Sequence, residues 1–276
     1  QSISMLFGYQ PTENFNFYAG PVYQTIKGDV QLRGLAYGGN ATFGGYNASI
    51  KETGDIGWLA GAAFQIPDIA LKASVTYRSE IEHSVNVKES FNSAGLLAGL
   101  NAAPSLNTDI TTPQSVNLDF QTGIMANTVA FANVRWVDWS SFSIQPYKFG
   151  LASKSAAIQA QTGKSEFDLV AYTDDQISAT VGVGRKLNDQ WAGNVSVGWD
   201  SGAGNPVTTL GPTEGYWNVG LGAQFSPTPQ TFIAGGVKYF WLGDAKAQSG
   251  AQFDTANYVA DFESNYAIAY GLKMGY

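Results

Sequence analysis

Tyr266-Ala-Ile-Ala-Tyr-Gly-Leu-Lys-Met-Gly-Tyr276, the last stretch of the chain, decides the fold class. Tyr266, Ile268, Tyr270, Leu272, Met274 and Tyr276 are large and apolar; Ala267, Ala269, Gly271, Lys273 and Gly275 between them are small or charged. Successive strand residues point to opposite faces, so such a strand has one greasy wall and one small or wet wall. About 10 residues is the length a tilted strand needs to cross a bilayer. The segment predicts an all-β protein, the closing strand of a transmembrane antiparallel β-barrel.

The rest of the chain repeats the pattern. Period-2 segments cover about 2–10, 14–33, 49–66, 69–88, 113–125, 128–148, 166–187, 190–201, 213–226, 230–243 and 257–276, which makes eleven strands. In 69–88, Ile69, Leu71, Ala73, Val75, Tyr77, Ile81 and Val85 share one face; Lys72, Ser74, Thr76, Arg78, Glu80, Glu82 and Ser84 share the other. Ile177, Ala179, Val181 and Val183 oppose Gln176, Ser178, Thr180 and Gly182, and Trp217 to Phe225 alternates likewise. A soluble sandwich also alternates, but its strands are typically 5 or 6 residues long. These are far longer.

Connections alternate short (11–14, 67–68, 126–127, 188–190, 226–229) and long (34–48, 89–112, 149–165, 202–212, 244–256). Short periplasmic turns and long outer loops are the asymmetry of outer-membrane barrels. The tryptophans, mostly near strand ends, suit interfacial girdles. An odd antiparallel sheet cannot close without a parallel pairing or an open edge. The expectation is therefore one barrel domain over 1–276 that lacks at least one strand before Gln1.

Composition agrees. Only 13% of residues are charged, against about a quarter in soluble proteins. No run of about 20 apolar residues suggests a membrane helix. Cysteine is absent, which excludes a disulfide framework, a thiol nucleophile and Cys-ligated metal. A net charge of −7 argues against nucleic acid. The single histidine, His83, is next to Glu82, but neighbours in a strand face opposite ways, so an enzyme reading fails. No metal-ligand cluster and no cofactor motif is present.

Four segments carry a family resemblance. Val75-Thr-Tyr-Arg-Ser-Glu-Ile-Glu-His83 resembles a strand motif of the FadL-type outer-membrane long-chain fatty acid and hydrocarbon transporters. Thr112-Pro-Gln-Ser-Val-Asn-Leu118 resembles that family's strand opening after a long loop. Trp136-Val-Asp-Trp-Ser-Ser-Phe142 resembles an aromatic strand end, and Gly198-Trp-Asp-Ser201 with Pro206-Val207 resembles a turn. The resemblance implies the last eleven strands of a fourteen-stranded parent barrel, with the family's N-terminal hatch and first three strands falling before Gln1. It implies passive transport of hydrophobic small molecules, long-chain fatty acids or related hydrocarbons, across a Gram-negative outer membrane. The expected partners are that ligand, the bilayer and lipopolysaccharide, and the expected state is a monomer. Alternatives are a general porin-like channel and a structural or adhesive barrel.

Such transport needs a greasy pocket in a wet lumen and a cation for a carboxylate head. Lys27 falls where the resembling strand is basic. Arg33 lies near the family's arginine without aligning to it, and both could instead meet lipopolysaccharide phosphates. The family's second basic residue is replaced near Asp174 or Asp175, which leaves room for a neutral or aromatic hydrocarbon. Arg78 and Arg135 fall on the lumen row, where salt bridging with Glu80 and Glu82 would explain them and ligand contact is the alternative. Leu96, Leu97 and Leu100 fit one face of a short loop helix. With Leu35, Tyr37 and Phe43 they could form an outer groove for a greasy ligand, or simply pack together.

Overall fold

The computed structural model describes residues 1–275; Tyr276, expected to end the last strand on an aromatic ring, lies outside the described residues. Chain order gives β1 (Ser2–Ser4), β2 (Phe7–Tyr9), β3 (Phe15–Gln31), β4 (Asn47–Ile66), β5 (Leu71–Arg78), β6 (Ile81–Ser90), β7 (Asn107–Thr112) and β8 (Ser115–Met125). Then follow β9 (Thr128–Val137), β10 (Ser143–Ile144), helices α1 (Tyr147–Ser153) and α2 (Ala156–Thr162), β11 (Val170–Ala171), β12 (Gln176–Lys186) and β13 (Trp191–Asp200). The remainder is β14 (Val207–Thr208), β15 (Tyr216–Thr228), β16 (Thr231–Leu242), β17 (Ala245–Gln248), β18 (Ala260–Phe262) and β19 (Tyr266–Gly275).

The wall is an antiparallel meander, β1-β3-β4-β5-β8-β9-β12-β13-β15-β16-β19, with β2 on β3. Its members follow the eleven expected ribbons in order. Among the described residues no pairing joins β1 to β19. The outward face of the wall is apolar and open: Leu118, Val181, Val195, Leu221, Val237 and Leu272 are all exposed. Trp199, Trp217, Trp241 and Tyr266 stand in one cross-strand row. Trp191 and Phe225 pair near the other end. Eight residue steps separate Trp191 from Trp199, about 26 Å along a strand. With barrel tilt that suits an apolar band of about 25 Å between two aromatic girdles.

Above the outer girdle the sheet reverses its faces. In β4, Lys51 and Glu52 oppose Lys27 alone, a bulge between the pairs Ile26↔Thr53 and Gly28↔Ile50. At Ser79 the hydroxyl accepts the Trp58 N–H at 3.0 Å, taking the place of a ladder carbonyl, and the ribbon leaves β4. Pro113, which has no N–H to give, separates β7 from β8. Beyond these breaks β6 and β7 pair with each other, and β6 rejoins β4 only at Asn47–Ile50. The hairpin leans inward: His83 Nε2 lies 3.0 Å from Gln24 Oε1, and Thr112 Oγ1 donates to the same oxygen at 2.8 Å.

This corrects the face assignment of 69–88. Ile81 and Val85 are buried inward with His83 and Val87, while Glu80, Glu82 and Ser84 are exposed on the other side. Ile69 belongs to a turn rather than a strand.

The long loops build a cap with a conventional core. Leu32, Phe43, Tyr46, Val85, Val87, Phe91, Leu97, Ile110, Phe149, Ile158, Phe167 and Leu169 pack together. Glu89 ties the core to α1, accepting from the Tyr46 hydroxyl and from the Lys148 and Phe149 N–H groups, each at 2.8 Å. The expected strands 128–148 and 166–187 are each too long. β9 ends at Val137 and β12 begins at Gln176. Of the apolar residues between them, Phe149, Ile158, Phe167, Leu169 and Val170 are buried in the cap core, and Phe142, Ile144 and Tyr172 are half-buried against it.

Candidate functional site

A cavity of ≈ 960 Å³ lies between wall and cap. Its lining comes from β1, β3 to β13 and β15, so the sheet curves around it. Its roof is apolar: Ile26, Ile50, Ile81, Val87, Ile110, Phe142, Ile144 and Leu169. Its lower wall is polar, with Arg78, Ser115, Arg135, Gln176, Ser178 and Asp200. A greasy roof over a polar girdle is the lining an amphipathic guest requires.

Arg78 and Arg135 are the cations of that lower wall. Neither makes a salt bridge or a side-chain hydrogen bond among the described residues. The salt bridging expected for them with Glu80 and Glu82 therefore does not occur, since those carboxylates turn outward at the break after Arg78. Pairing sets Arg135, Ser178 and Asp200 side by side on β9, β12 and β13. Asp200 is already engaged, accepting from Gln176 Nε2 at 2.7 Å and from the Gly202 N–H at 2.9 Å.

Glu214, in the loop before β15, is pushed up to about 7 by burial first, then by Asp174 and Asp200. Asp175 faces the rim instead. It accepts from Ser140 Oγ at 2.6 Å and Trp136 Nε1 at 3.0 Å, and the Ser140 hydrogen bond chiefly holds its carboxyl below the usual range.

A second, smaller space of ≈ 220 Å³ opens within the cap, lined by Leu32, Tyr37, Phe43, Phe149, Phe167 and Leu210 among others. Leu169 lines both spaces. At the opposite end the lumen widens to ≈ 1200 Å³ against small residues such as Gly184, Ala192, Gly193, Ala234 and Gly271.

The expected site residues divide. Arg78 and Arg135 line the lumen cavity. Lys27 borders it, exposed at the bulge, and by strand parity belongs to the outward row. Arg33 lies elsewhere: its guanidinium donates to the Leu32 and Tyr46 carbonyls at 2.7 and 3.0 Å and fastens the ends of β3 and β4. Tyr37 and Phe43 line the cap cleft, and the Tyr37 hydroxyl donates to Thr209 Oγ1 at 2.8 Å. Leu97 is buried in the cap core with Leu100 packed against it. Leu35 and Leu96 project to solvent, 92% and 64% exposed, and border neither space. The expected helix there is a 3-10 turn, Ala98–Ala102. Gln176, Ser178 and Asp200 join the cavity wall beyond the expected residues, and the alternation of β12 already sets Gln176 and Ser178 on the polar row. Among the described residues no group of three or more His, Cys, Asp or Glu could hold a metal ion.

Comparison with known proteins matches residues 3–276 to a family described as outer membrane protein transport protein (OMPP1/FadL/TodX). Among solved structures, a Pseudomonas aeruginosa FadL homologue aligns with a TM-score of 0.60 at 16% identity, covering 89% of this chain and 60% of that one. The CymD monoaromatic hydrocarbon channel aligns with a TM-score of 0.56 at 12% identity, covering 88% and 68%. The Pseudomonas putida toluene transporter TodX aligns with a TM-score of 0.52 at 12% identity, covering 86% and 63%. At such identities the likeness establishes the fold alone, and the chain spans 60% of the length of the P. aeruginosa homologue. No curated protein matches the chain in a sequence comparison.

Proposed function

The chain belongs to the outer membrane protein transport protein family (OMPP1/FadL/TodX), and from that premise we propose that it admits amphipathic hydrophobic molecules through its lumen. The ligand lies with an acyl or aryl tail under the apolar roof and a carboxylate toward Arg78 and Arg135. Residues 1–276 act as one barrel unit in this reading, and the family is one of transporters rather than enzymes. The observation that carries it is the pair of cavity arginines that make no salt bridge among the described residues.

Magnitudes support a divided pocket. Each methylene taken from water contributes about 0.8 kcal/mol. A hydrogen bond to a charged group adds roughly 1.5–3 kcal/mol. Tail burial gives most of the affinity and the arginines choose the head group. Binding of dodecanoate and of neutral dodecanol to the protein in detergent tests this. R78Q/R135Q should weaken dodecanoate and spare dodecanol; equal weakening of both removes the charge-recognition role.

A neutral aromatic guest is the second reading. It is favoured by Asp200 in the cavity wall and by acidic residues at 174 and 175, where the resemblance expects a base. A general porin is disfavoured by the packed core that roofs the lumen. Liposome swelling in sugars decides that point: rapid sugar permeation would restore the porin.

A further inference from the structure

Two segments, 142–146 and 167–172, cross the mouth of the lumen as a strap. Their lower side, through Phe142, Ile144, Leu169 and Val170, forms part of the cavity roof. Their upper side, through Phe167 and again Leu169, lines the cap cleft. Leu169, 5% exposed, thus belongs to both spaces, so the wall between them is one side chain thick at that point.

The strap is weakly tied for its position. Its ladder is two pairs, Ser143↔Ala171 and Ile144↔Val170, extended by the Leu169 N–H to the Ile144 carbonyl at 2.9 Å and the Tyr172 N–H to the Phe142 carbonyl at 3.4 Å. Gln145 Nε2 adds a bond to the Phe167 carbonyl at 3.1 Å. By contrast β12 is laddered from Ser178 to Lys186 on one side and from Gln176 to Arg185 on the other. Phe167, Leu169 and Val170 anchor the strap's side chains in the cap core, but local opening also follows sparse backbone bonding, which here singles out the two-pair ladder over the wall.

We propose that Leu169 is the partition between the cap cleft and the lumen cavity, and that parting of the two-pair ladder beneath it passes an apolar ligand from one to the other. This rests on the transport reading above. It adds which residue separates the spaces and which backbone bonds must yield. The Leu169 side chain acts by occupying the passage.

The chain has no cysteine, so a pair of introduced thiols is unique. Ser143 and Ala171 are direct cross-strand partners, at a spacing a disulfide can bridge. Neither is in the cap core. Uptake of the neutral dye N-phenyl-1-naphthylamine is to be followed in cells carrying S143C/A171C, oxidised and then reduced, beside wild type and L169A. The expected result is uptake slowed about tenfold in the oxidised form and restored by reductant, as for a gate held shut. L169A should run faster than wild type. Equal rates in the oxidised and reduced forms, with the disulfide verified by mass, would overturn the strap gate while leaving the transport reading intact. No uptake beyond that of cells lacking the protein, by wild type or reduced variant, would overturn both.

Discussion

Val181 and Val85 carry the same side chain on strands of one sheet system, yet Val181 is 57% exposed and Val85 is wholly buried. The first stands on the outward face of the wall, the second on the inward face of the β6–β7 hairpin beneath the cap. The wall directs its large apolar residues away from the protein, and the cap gathers them inside. The difference lies in what covers each region. Hydrocarbon covers the wall, so it needs no protein partner there; water covers the cap, which must bury its own apolar surface.

That contrast can be broken from either side. The largest effect belongs to the cap: F149A removes a ring packed on Phe43, Tyr46 and Phe167 and should cost about 3–5 kcal/mol of cap stability. Limited proteolysis should then cut the outer loops while the heat-resistant migration typical of barrels survives. Loss of both together would show that cap and wall fold as one unit. Next, L221R on the outward face should cost roughly 2–4 kcal/mol in bilayer folding assays. An undisturbed L221R would mean that this face does not meet hydrocarbon.

A smaller effect sharpens the comparison within the cavity. R78Q alone should weaken dodecanoate binding by roughly tenfold, on the order of one charge-assisted hydrogen bond. Calorimetry reads it directly. The smallest concerns the loop before β15. Glu214 sits above its ordinary value of 4.5 in the fold, so its protonated form is favoured there and its contribution is fully present below the unfolded pKa. That contribution is lost as pH rises toward about 7. The 201–215 loop should therefore be cut faster by a pH-tolerant protease at about pH 8 than at about pH 5, and E214Q should flatten the difference. The same slope in E214Q would assign it to other groups.

The wall was legible in the sequence because one rule governs it. Tyr266 to Met274 and Ile177 to Val183 alternate without interruption, and short and long connections fall where the turns and loops are. The rule fails where it is carried across a break. Ile81 and Val85 count as outward only if Ser79 and Glu80 continue the ribbon, and the Ser79 hydroxyl ends it. Phe142, Ile144, Phe167 and Leu169 have strand-like spacing and apolar character, but neither says whether lipid or protein receives them. For the candidate site, parity sets Arg78 and Arg135 on the row that lines the cavity, while Arg33, offered for lying near the family's arginine, fastens the ends of β3 and β4. Which loops would meet to make Leu169 a shared wall depends on contacts between segments far apart in the chain. No local pattern holds that information.

The paired reversals at Ser79–Glu80 and Pro113–Gln114 work like a hem, where cloth is turned so that its lining shows. A single ribbon serves below as membrane siding and above as ceiling. Its weakness is a matter of counting: one residue added or removed at that seam would turn the ceiling's oily side to the sea and its carboxylates to the room.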